Sequence, residues 1–316
     1  MVEKVNRQQK EENPIITILG PTASGKTKRA VTLAEVWGAE IISADSRQVY
    51  RNMDLGTGKD LEEYGDIPYH LIDICDAGEK YNLHRYIKDF RTALKLIRNN
   101  AANCIVCGGS GMYLENALAD IELPDVPQNR ELRKKLESKN LDELSEILKT
   151  YKSLHNTTDI DTPKRAIRAI EIGEYYRNNP DLAKNADRKN RNPLKSLIIG
   201  IEIPREERVE RIDSRLRTRL ENGMLDEIKS LIDKGIKPED LIYYGLEYKY
   251  LTLHIIGKLS YDEMFHRLSI AIHQFSKRQM TWFRGMEKRG FHINWFPFDM
   301  DKDAFNSKVL KLYSEL

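Results

Sequence analysis

The chain has 316 residues and a mass of 36.7 kDa, with 51 Lys+Arg against 49 Asp+Glu, a net charge of +2 and 40% apolar residues. That length and apolar content can bury a full core with an appended subdomain, which excludes low-complexity disorder, and the near-neutral charge excludes a protein that coats nucleic acid by bulk charge. No stretch reaches the apolar length of a membrane span, Met1 to Asn13 is polar without a signal-like apolar region, and Cys75, Cys104 and Cys107 are too few for a disulfide framework, so a cytoplasmic chain with no membrane association is expected.

In chain order, Ile15-Ile16-Thr17-Ile18-Leu19 is a β-branched run that stops at Gly20, after which Ala30, Leu33, Ala34 and Trp37 recur at helical spacing. Strands are expected over Glu40 to Ala44, His70 to Ile74 and Ala102 to Cys107, with a helix over Tyr86 to Ile97. Strands alternating with helices imply a parallel sheet covered on both faces. After Leu123-Pro124 the texture changes: Arg130 to Tyr151 and Lys164 to Tyr176 read as charged amphipathic helices with no strand between them, followed by a polar, Asn-rich, basic loop over Asn178 to Pro193. Leu197 to Ile203 restores a strand. The remainder reads as helical, with Arg205 to Asn222 closed by Gly223 and a long helix opened by Ser260 and Glu263 in a capping-box pattern. The expected architecture is an α/β P-loop core in two parts, residues 1–122 and 197–316, carrying a helical insertion over 123–196.

Gly20-Pro21-Thr22-Ala23-Ser24-Gly25-Lys26-Thr27 fits GxxxxGK[ST] at every fixed position and lies between the expected strand and helix that this pattern requires. Glycines let successive N–H groups turn inward, the helix N-terminus adds positive dipole, Lys26 brings a mobile cation, and the Thr27 hydroxyl can ligate Mg2+. The loop therefore announces a diphosphate or polyphosphate site, without saying which, nor that a phosphoryl group moves. A P-loop hydrolase holds its Mg2+ with an Asp at the end of a second apolar strand, whereas Cys104-Ile105-Val106-Cys107 runs into Gly108-Gly109-Ser110-Gly111. The acid that parallel topology brings to the same sheet edge is Asp45, in Ile41-Ile42-Ser43-Ala44-Asp45-Ser46. Two readings fit it: a general base acting on an acceptor, or a turn Asp capping the next helix.

Cys104 and Cys107 form a CxxC, but residues three apart on a strand face opposite ways, so core thiols are expected rather than a zinc or disulfide pair. Arg208, Arg211, Arg215 and Arg219 stack along one helix face, beside Val209, Ile212, Leu216 and Leu220. That face is either a cationic contact surface or simply solvated. Between Arg165 and Arg219, Lys and Arg outnumber the acids by more than the +2 excess of the whole chain, so positive charge concentrates in and beside the insertion. Lys277-Arg278-Gln279-Met280-Thr281-Trp282-Phe283-Arg284 interleaves cations with two aromatics, a mixture suited to phosphate contact with base stacking, although the aromatics alone read as core.

Seven segments in order carry a specific resemblance: Gly20 to Thr27 (GPTASGKT), Ile41 to Tyr50 (IISADSRQVY), Met53 to Gly58 (MDLGTG), His70 to Ile74 (HLIDI), Gly108 to Tyr113 (GGSGMY), Thr162 to Glu171 (TPKRAIRAIE) and Lys277 to Arg284 (KRQMTWFR). The chain resembles the bacterial-type tRNA dimethylallyltransferases, which move a dimethylallyl group from its diphosphate to N6 of adenosine 37 beside the anticodon. The resemblance implies that Asp45 accepts the proton of the attacking amine and that Thr22 and Arg215 contact the diphosphate. It implies a diphosphate site over Gly20, Thr22, Ala23, Ser24, Gly25, Lys26 and Thr27, with Thr27 on the Mg2+ cofactor. It further implies contacts to the tRNA anticodon stem-loop from Asp45, Ser46, Arg47, Gln48, Ser110, Lys164, Arg165, Arg168, Lys277, Arg278 and Gln279; a monomer is expected. Ser110 stands where the family usually has Thr, and Tyr243 to Lys249 departs from its Gly-Tyr-Lys-Glu segment. The rival readings are an adenylate isopentenyltransferase acting on a free nucleotide, a P-loop kinase of a small metabolite, and a non-catalytic RNA-binding protein.

Overall fold

The computed structural model describes residues 13–121, 125–151, 160–182 and 193–316. By its internal contacts the chain divides into two compact units, residues 1–119 with 193–316, and residues 120–192.

The first unit is built on six parallel strands: β1 (Ile15–Leu19), β2 (Ala39–Ser43), β3 (Tyr69–His70), β4 (Asn103–Gly108), β5 (Ser196–Glu202) and β6 (Ile293–Pro297). Their order across the sheet is β3-β2-β4-β1-β5-β6. All five residues of β1 are buried, as the unbroken apolar run requires of a strand covered on both faces. On one face, Ala30, Leu33 and Ala34 of α1 (Lys26–Trp37) and Phe305 and Val309 of α12 (Lys302–Ser314) pack on Ile16, Ile18, Ile41, Ile105 and Ile199. The remaining described helices of this unit are α2 (Leu83–Asn99), α3 (Gly111–Leu118), α7 (Arg205–Glu221), α8 (Met224–Asp233), α9 (Pro238–Leu241), α10 (Leu246–Ile255) and α11 (Tyr261–Lys288). Ser260 and Glu263 form the expected capping box of α11. Because β1 is followed in sequence by β2 but flanked in the sheet by β4, the chain reverses direction across the sheet beside β1, and a crevice opens beyond the C-terminal strand ends there.

Two expectations are corrected here. The strand expected over His70 to Ile74 ends at His70, because Leu71 and Asp73 adopt φ of 63° and 55°, outside extended geometry. Leu71 and Ile72 are buried by loop packing instead, and Asp73 serves an ion pair. The stretch after β5 is not all helical, since Ile293–Pro297 pairs in parallel with β5; this short run, half-buried at Asn294 and Trp295, gives too weak a period to be recognised alone. Cys104 and Cys107 are buried, unpaired thiols, as expected.

The second unit contains α4 (Arg130–Leu136), α5 (Leu141–Lys149) and α6 (Pro163–Asn178). The stretch Arg130 to Tyr151 is two helices rather than one, because Asn140 and Glu143 form a capping box that begins α5 in mid-run. Leu136, Leu144, Leu148, Ala166 and Ile170 make its small core. Beside it, Glu171 is 3% exposed, and its carboxylate accepts from Arg133 (2.6 and 2.7 Å), Arg168 (3.1 Å) and the Asn129 amide (2.9 Å). Burial pushes this carboxyl up, but the bonds from Arg133, Arg168 and Asn129 outweigh it and hold it below the usual range. Residues 183–192 of the expected basic loop lie outside the described residues.

Candidate active site

The phosphate loop leaves β1 at Gly20 and enters α1 at Lys26. Ala23 and Gly25 have φ of 61° and 79°, the left-handed conformation that turns neighbouring N–H groups toward one point. Among the described residues no side chain caps α1, which leaves its first-turn N–H groups available to an anion. The Lys26 ammonium comes no closer than 3.5 Å to the Pro21 carbonyl. Burial lowers its pKa below the usual lysine value, with Arg215 adding to the effect and Asp45 opposing it. Ser24 is 2% exposed, and its hydroxyl has no partner among the described residues.

Three glycines at the end of β4 bring the second wall against this loop. A Cβ on Gly108 would lie 2.2 Å from the Ala44 carbonyl oxygen, so β4 and the chain leaving β2 approach as closely as two backbones can. Ser110 then locks the contact: its N–H donates to Ala44 (3.1 Å) and its hydroxyl accepts from Ser46 N–H (3.0 Å). Gln279 of α11 spans the two walls, its amide donating to the Gly109 carbonyl (2.9 Å) while its oxygen accepts from Thr22 N–H (2.8 Å).

Asp45 follows the end of β2, where one carboxylate oxygen accepts from Arg47 N–H at 2.8 Å in a local turn. The other oxygen has no partner among the described residues, so the turn role and a chemical role are compatible. Gln48 is tied at both ends, to Ser43 (3.0 Å) and to the Gly58 carbonyl (3.0 Å). Behind this loop Lys59 is fully buried and donates to the Tyr50 carbonyl (2.6 Å), Asp54 (2.6 Å) and Asp73. Glu227 of α8 accepts from the N–H groups of Asp54, Leu55 and Gly56 at 2.8, 2.7 and 3.1 Å, which fixes the MDLGTG segment.

These elements enclose a cavity of about 410 Å³ lined by Thr22, Lys26, Thr27, Asp45, Arg215 and Arg278, among others. Ser46, Arg47, Gln48, Ser110 and Gln279 line it too. Gly20, Ala23, Ser24 and Gly25 shape the loop beneath without forming the lining. Arg215 donates to the Thr22 hydroxyl; burial first, and then the neighbouring Arg219 charge, lowers its pKa to about 10. The departing segment Tyr243 to Lys249 belongs to the same cavity, where Tyr243 meets Arg47 face-on at 5.9 Å. Burial raises the Glu247 carboxyl above its usual value despite Arg215 and Arg219 nearby.

The remaining sequence candidates lie elsewhere. Lys277 lines a neighbouring cavity with Arg205, Arg208 and Arg284. The arginine stripe therefore divides: Arg208 faces that cavity, Arg211 pairs with Glu207 at 2.6 Å, and Arg215 and Arg219 enter the first. Phe283 is fully buried and serves packing, whereas Trp282, 39% exposed, covers Gly111 and donates its indole N–H to Glu115 (2.9 Å). In the helical unit, Arg165 pairs with Asp161 at 3.0 Å, Arg168 reaches Glu171 and the Val126 carbonyl, and Lys164 has no partner among the described residues. Sequence reasoning missed Asp60, Arg219, Tyr243 and Glu247 as cavity residues. Arg219 carried a usable signal, one turn beyond Arg215 on the same stripe; the others are assembled only by folding.

Among the described residues no three His, Cys, Asp or Glu side chains form a metal site. Thr27 supplies a hydroxyl at the cavity, and a hydroxyl with phosphate oxygens and water is a donor set that suits Mg2+.

A parallel α/β sheet whose phosphate loop, strand-end Asp45 carboxylate and arginines Arg47, Arg215, Arg219 and Arg278 meet in one cavity is a P-loop core built to hold a phosphorylated ligand. The sequence profile described as IPP transferase matches residues 48–286, and one described as isopentenyl transferase matches residues 13–64. The tRNA dimethylallyltransferase 2 of Phocaeicola vulgatus is 56% identical over 306 residues, covering 96% of this chain and 98% of that one. The tRNA dimethylallyltransferase 1 of Parabacteroides distasonis is 59% identical over 285 residues, 89% of this chain and 91% of that one. The full-length tRNA isopentenylpyrophosphate transferase of Bacillus halodurans superposes with a TM-score of 0.68 at 29% identity, covering 96% and 95% of the two chains. The chain belongs to the IPP transferase family, the tRNA dimethylallyltransferases, and is a prenyltransferase.

Proposed function

We propose that this protein transfers the dimethylallyl group of dimethylallyl diphosphate to N6 of adenosine 37 in tRNA and releases diphosphate. The observation that carries the reading is the meeting, in one cavity, of a phosphate loop, the Arg215–Thr22 pair and an Asp45 carboxylate oxygen free of protein partners. In the reaction the N6 amine attacks the allylic carbon, an N–C bond forms, and the C–O bond to the diphosphate breaks with its electron pair leaving on oxygen. Asp45 holds the amine and takes its proton. Lys26, Arg215, the Thr22 hydroxyl and the loop N–H groups bear the charge growing on the leaving group, in a cavity where partial burial strengthens each interaction. The Thr27 hydroxyl would hold Mg2+, which would supply further charge neutralisation to the leaving group when bound. The adenine reaches the cavity only when unstacked, so the enzyme must recover that cost from surrounding RNA.

Ser46, Arg47, Ser110 and Arg278 form the rim that receives the flipped base, while Gln48 and Gln279 brace it through the main chain. Lys277 extends the cationic surface. Lys164, Arg165 and Arg168 belong to a helical unit, residues 120–192, that grips the anticodon stem. The reading takes the enzyme to act as a monomer in the cytoplasm. Among the described residues no helix is long and apolar enough to cross a membrane.

The test is mass spectrometry of nucleosides after incubation with dimethylallyl diphosphate and Mg2+, without ATP, using an anticodon stem-loop or AMP as acceptor. N6-prenylated adenosine in the stem-loop, with kcat/KM about a thousandfold above AMP, equivalent to about 4 kcal/mol of transition-state binding, is the expected result. An absolute ATP requirement, or comparable turnover of AMP, refutes it.

A further inference from the structure

Arg219 lies one helical turn, about 6 Å, beyond Arg215 on α7, and both line the cavity. Its side chain is only 11% exposed. One terminal nitrogen donates to both Asp60 oxygens, at 2.9 and 2.8 Å. The guanidinium lies against Gly58, where φ is +66° and a Cβ would come within 2.6 Å of either terminal nitrogen. The side chain is therefore held from one side by a carboxylate and from another by the main chain. A guanidinium carries five N–H donors. Both contacts to Asp60 leave one nitrogen toward one carboxylate and share a single N–H, and the other N–H groups have no partner among the described residues.

Two half-buried guanidinium groups one turn apart repel each other, and the lowered Arg215 pKa reflects that repulsion after the larger effect of burial. Such an arrangement is costly in an empty cavity and becomes favourable when an anion with several charged oxygens sits between the two cations. Asp60 does not remove the need, since it engages only one of the three Arg219 nitrogens. We infer that Arg219, oriented by Asp60, is a second diphosphate-positioning arginine that acts with Arg215 on the leaving group. This rests on the proposed diphosphate reading and deepens it. Arg215 reaches the loop through Thr22, whereas Arg219 is anchored to the segment that follows MDLGTG. The pair thus joins the two walls of the cavity through one ligand, and a monophosphate, with a single phosphoryl group, engages only one of them.

The test measures inorganic diphosphate and inorganic phosphate binding with Mg2+ by calorimetry, and KM for dimethylallyl diphosphate and for an anticodon stem-loop, in the full chain. Arg219→Met keeps the length of the side chain and removes its donors. It is expected to weaken diphosphate binding and raise KM for dimethylallyl diphosphate about tenfold, equivalent to about 1.4 kcal/mol, with stem-loop KM unchanged. Arg219→Lys restores the charge and is expected to recover part of the loss. Phosphate binding is expected to change little. Unchanged diphosphate binding, or an equal rise in both KM values, overturns the inference. Should Arg219→Met fail to fold, Asp60→Asn decides: weaker diphosphate binding at constant stem-loop KM supports the role, and unchanged diphosphate binding overturns it. A wild-type protein that binds no diphosphate and transfers no prenyl group refutes the parent reading instead, and the inference falls with it.

Discussion

Asp45 offers the sharpest separation of chemistry from structure, because its two carboxylate oxygens do different things. One accepts from Arg47 N–H at 2.8 Å and shapes the turn after β2, while the other is free of partners among the described residues. Asp45→Asn keeps the shape and the turn acceptor but removes the base. Losing a positioned general base slows the chemical step about 10²- to 10⁴-fold, or about 3 to 5 kcal/mol. Asp45→Ala removes the base and the turn bond together. A lost internal hydrogen bond of this kind costs about 1 kcal/mol, and the loosened residues include Ser46 and Arg47 on the cavity rim, so stem-loop KM should rise about fivefold in the Ala variant alone. The assay is rapid-quench single turnover at saturating dimethylallyl diphosphate with a titrated stem-loop, alongside calorimetric binding of diphosphate. Both variants should bind diphosphate nearly as well as the wild type. An Asn variant within a few-fold of the wild-type single-turnover rate refutes the base, and equal stem-loop KM in the two variants refutes the turn argument.

Three further outcomes can be measured. Gly108→Ala places a methyl 2.2 Å from the Ala44 carbonyl oxygen, so the strand ends must separate; an overpacking loss of about 1 to 3 kcal/mol in urea unfolding and a fall in kcat are expected, and a wild-type midpoint and rate would contradict the close approach. Lys26 has a folded pKa below its unfolded value because of burial, so its proton binds less tightly in the folded chain; its burial costs stability at neutral pH, and that cost is relieved as pH rises from the folded toward the unfolded pKa. Diphosphate binding, which needs the ammonium, should weaken over the same range and begin to do so below the ordinary lysine pKa, whereas Lys26→Arg should hold its affinity flat there. Finally, Lys164→Glu with Arg165→Glu should flatten the salt dependence of tRNA binding at unchanged thermal stability, because neither holds the Glu171 cluster; an unchanged slope would make that face merely solvated.

The sequence by itself determined the phosphate loop, the strand and helix on either side of it, and the parallel α/β class, because those signals are local. GxxxxGK[ST] is a backbone shape written in eight consecutive residues, and buried parallel strands need unbroken apolar runs. It also marked Asp45 and Arg215 as site residues, the first from its place at a strand end and the second from the resemblance. Only the tertiary structure decided which members of each pattern share a cavity. Neighbouring residues on α11 separate, with Arg278 in the cavity, Gln279 braced on Thr22 and Gly109, and Lys277 in the next cavity, since helical side chains about 100° apart meet different neighbours. Asp60, Glu247 and Tyr243 enter the site from segments far from the loop in sequence, and β6 exists because β5 offers it a parallel edge. Long-range placement of this kind comes from packing and hydrogen-bond satisfaction across the whole fold, which no local window of residues contains.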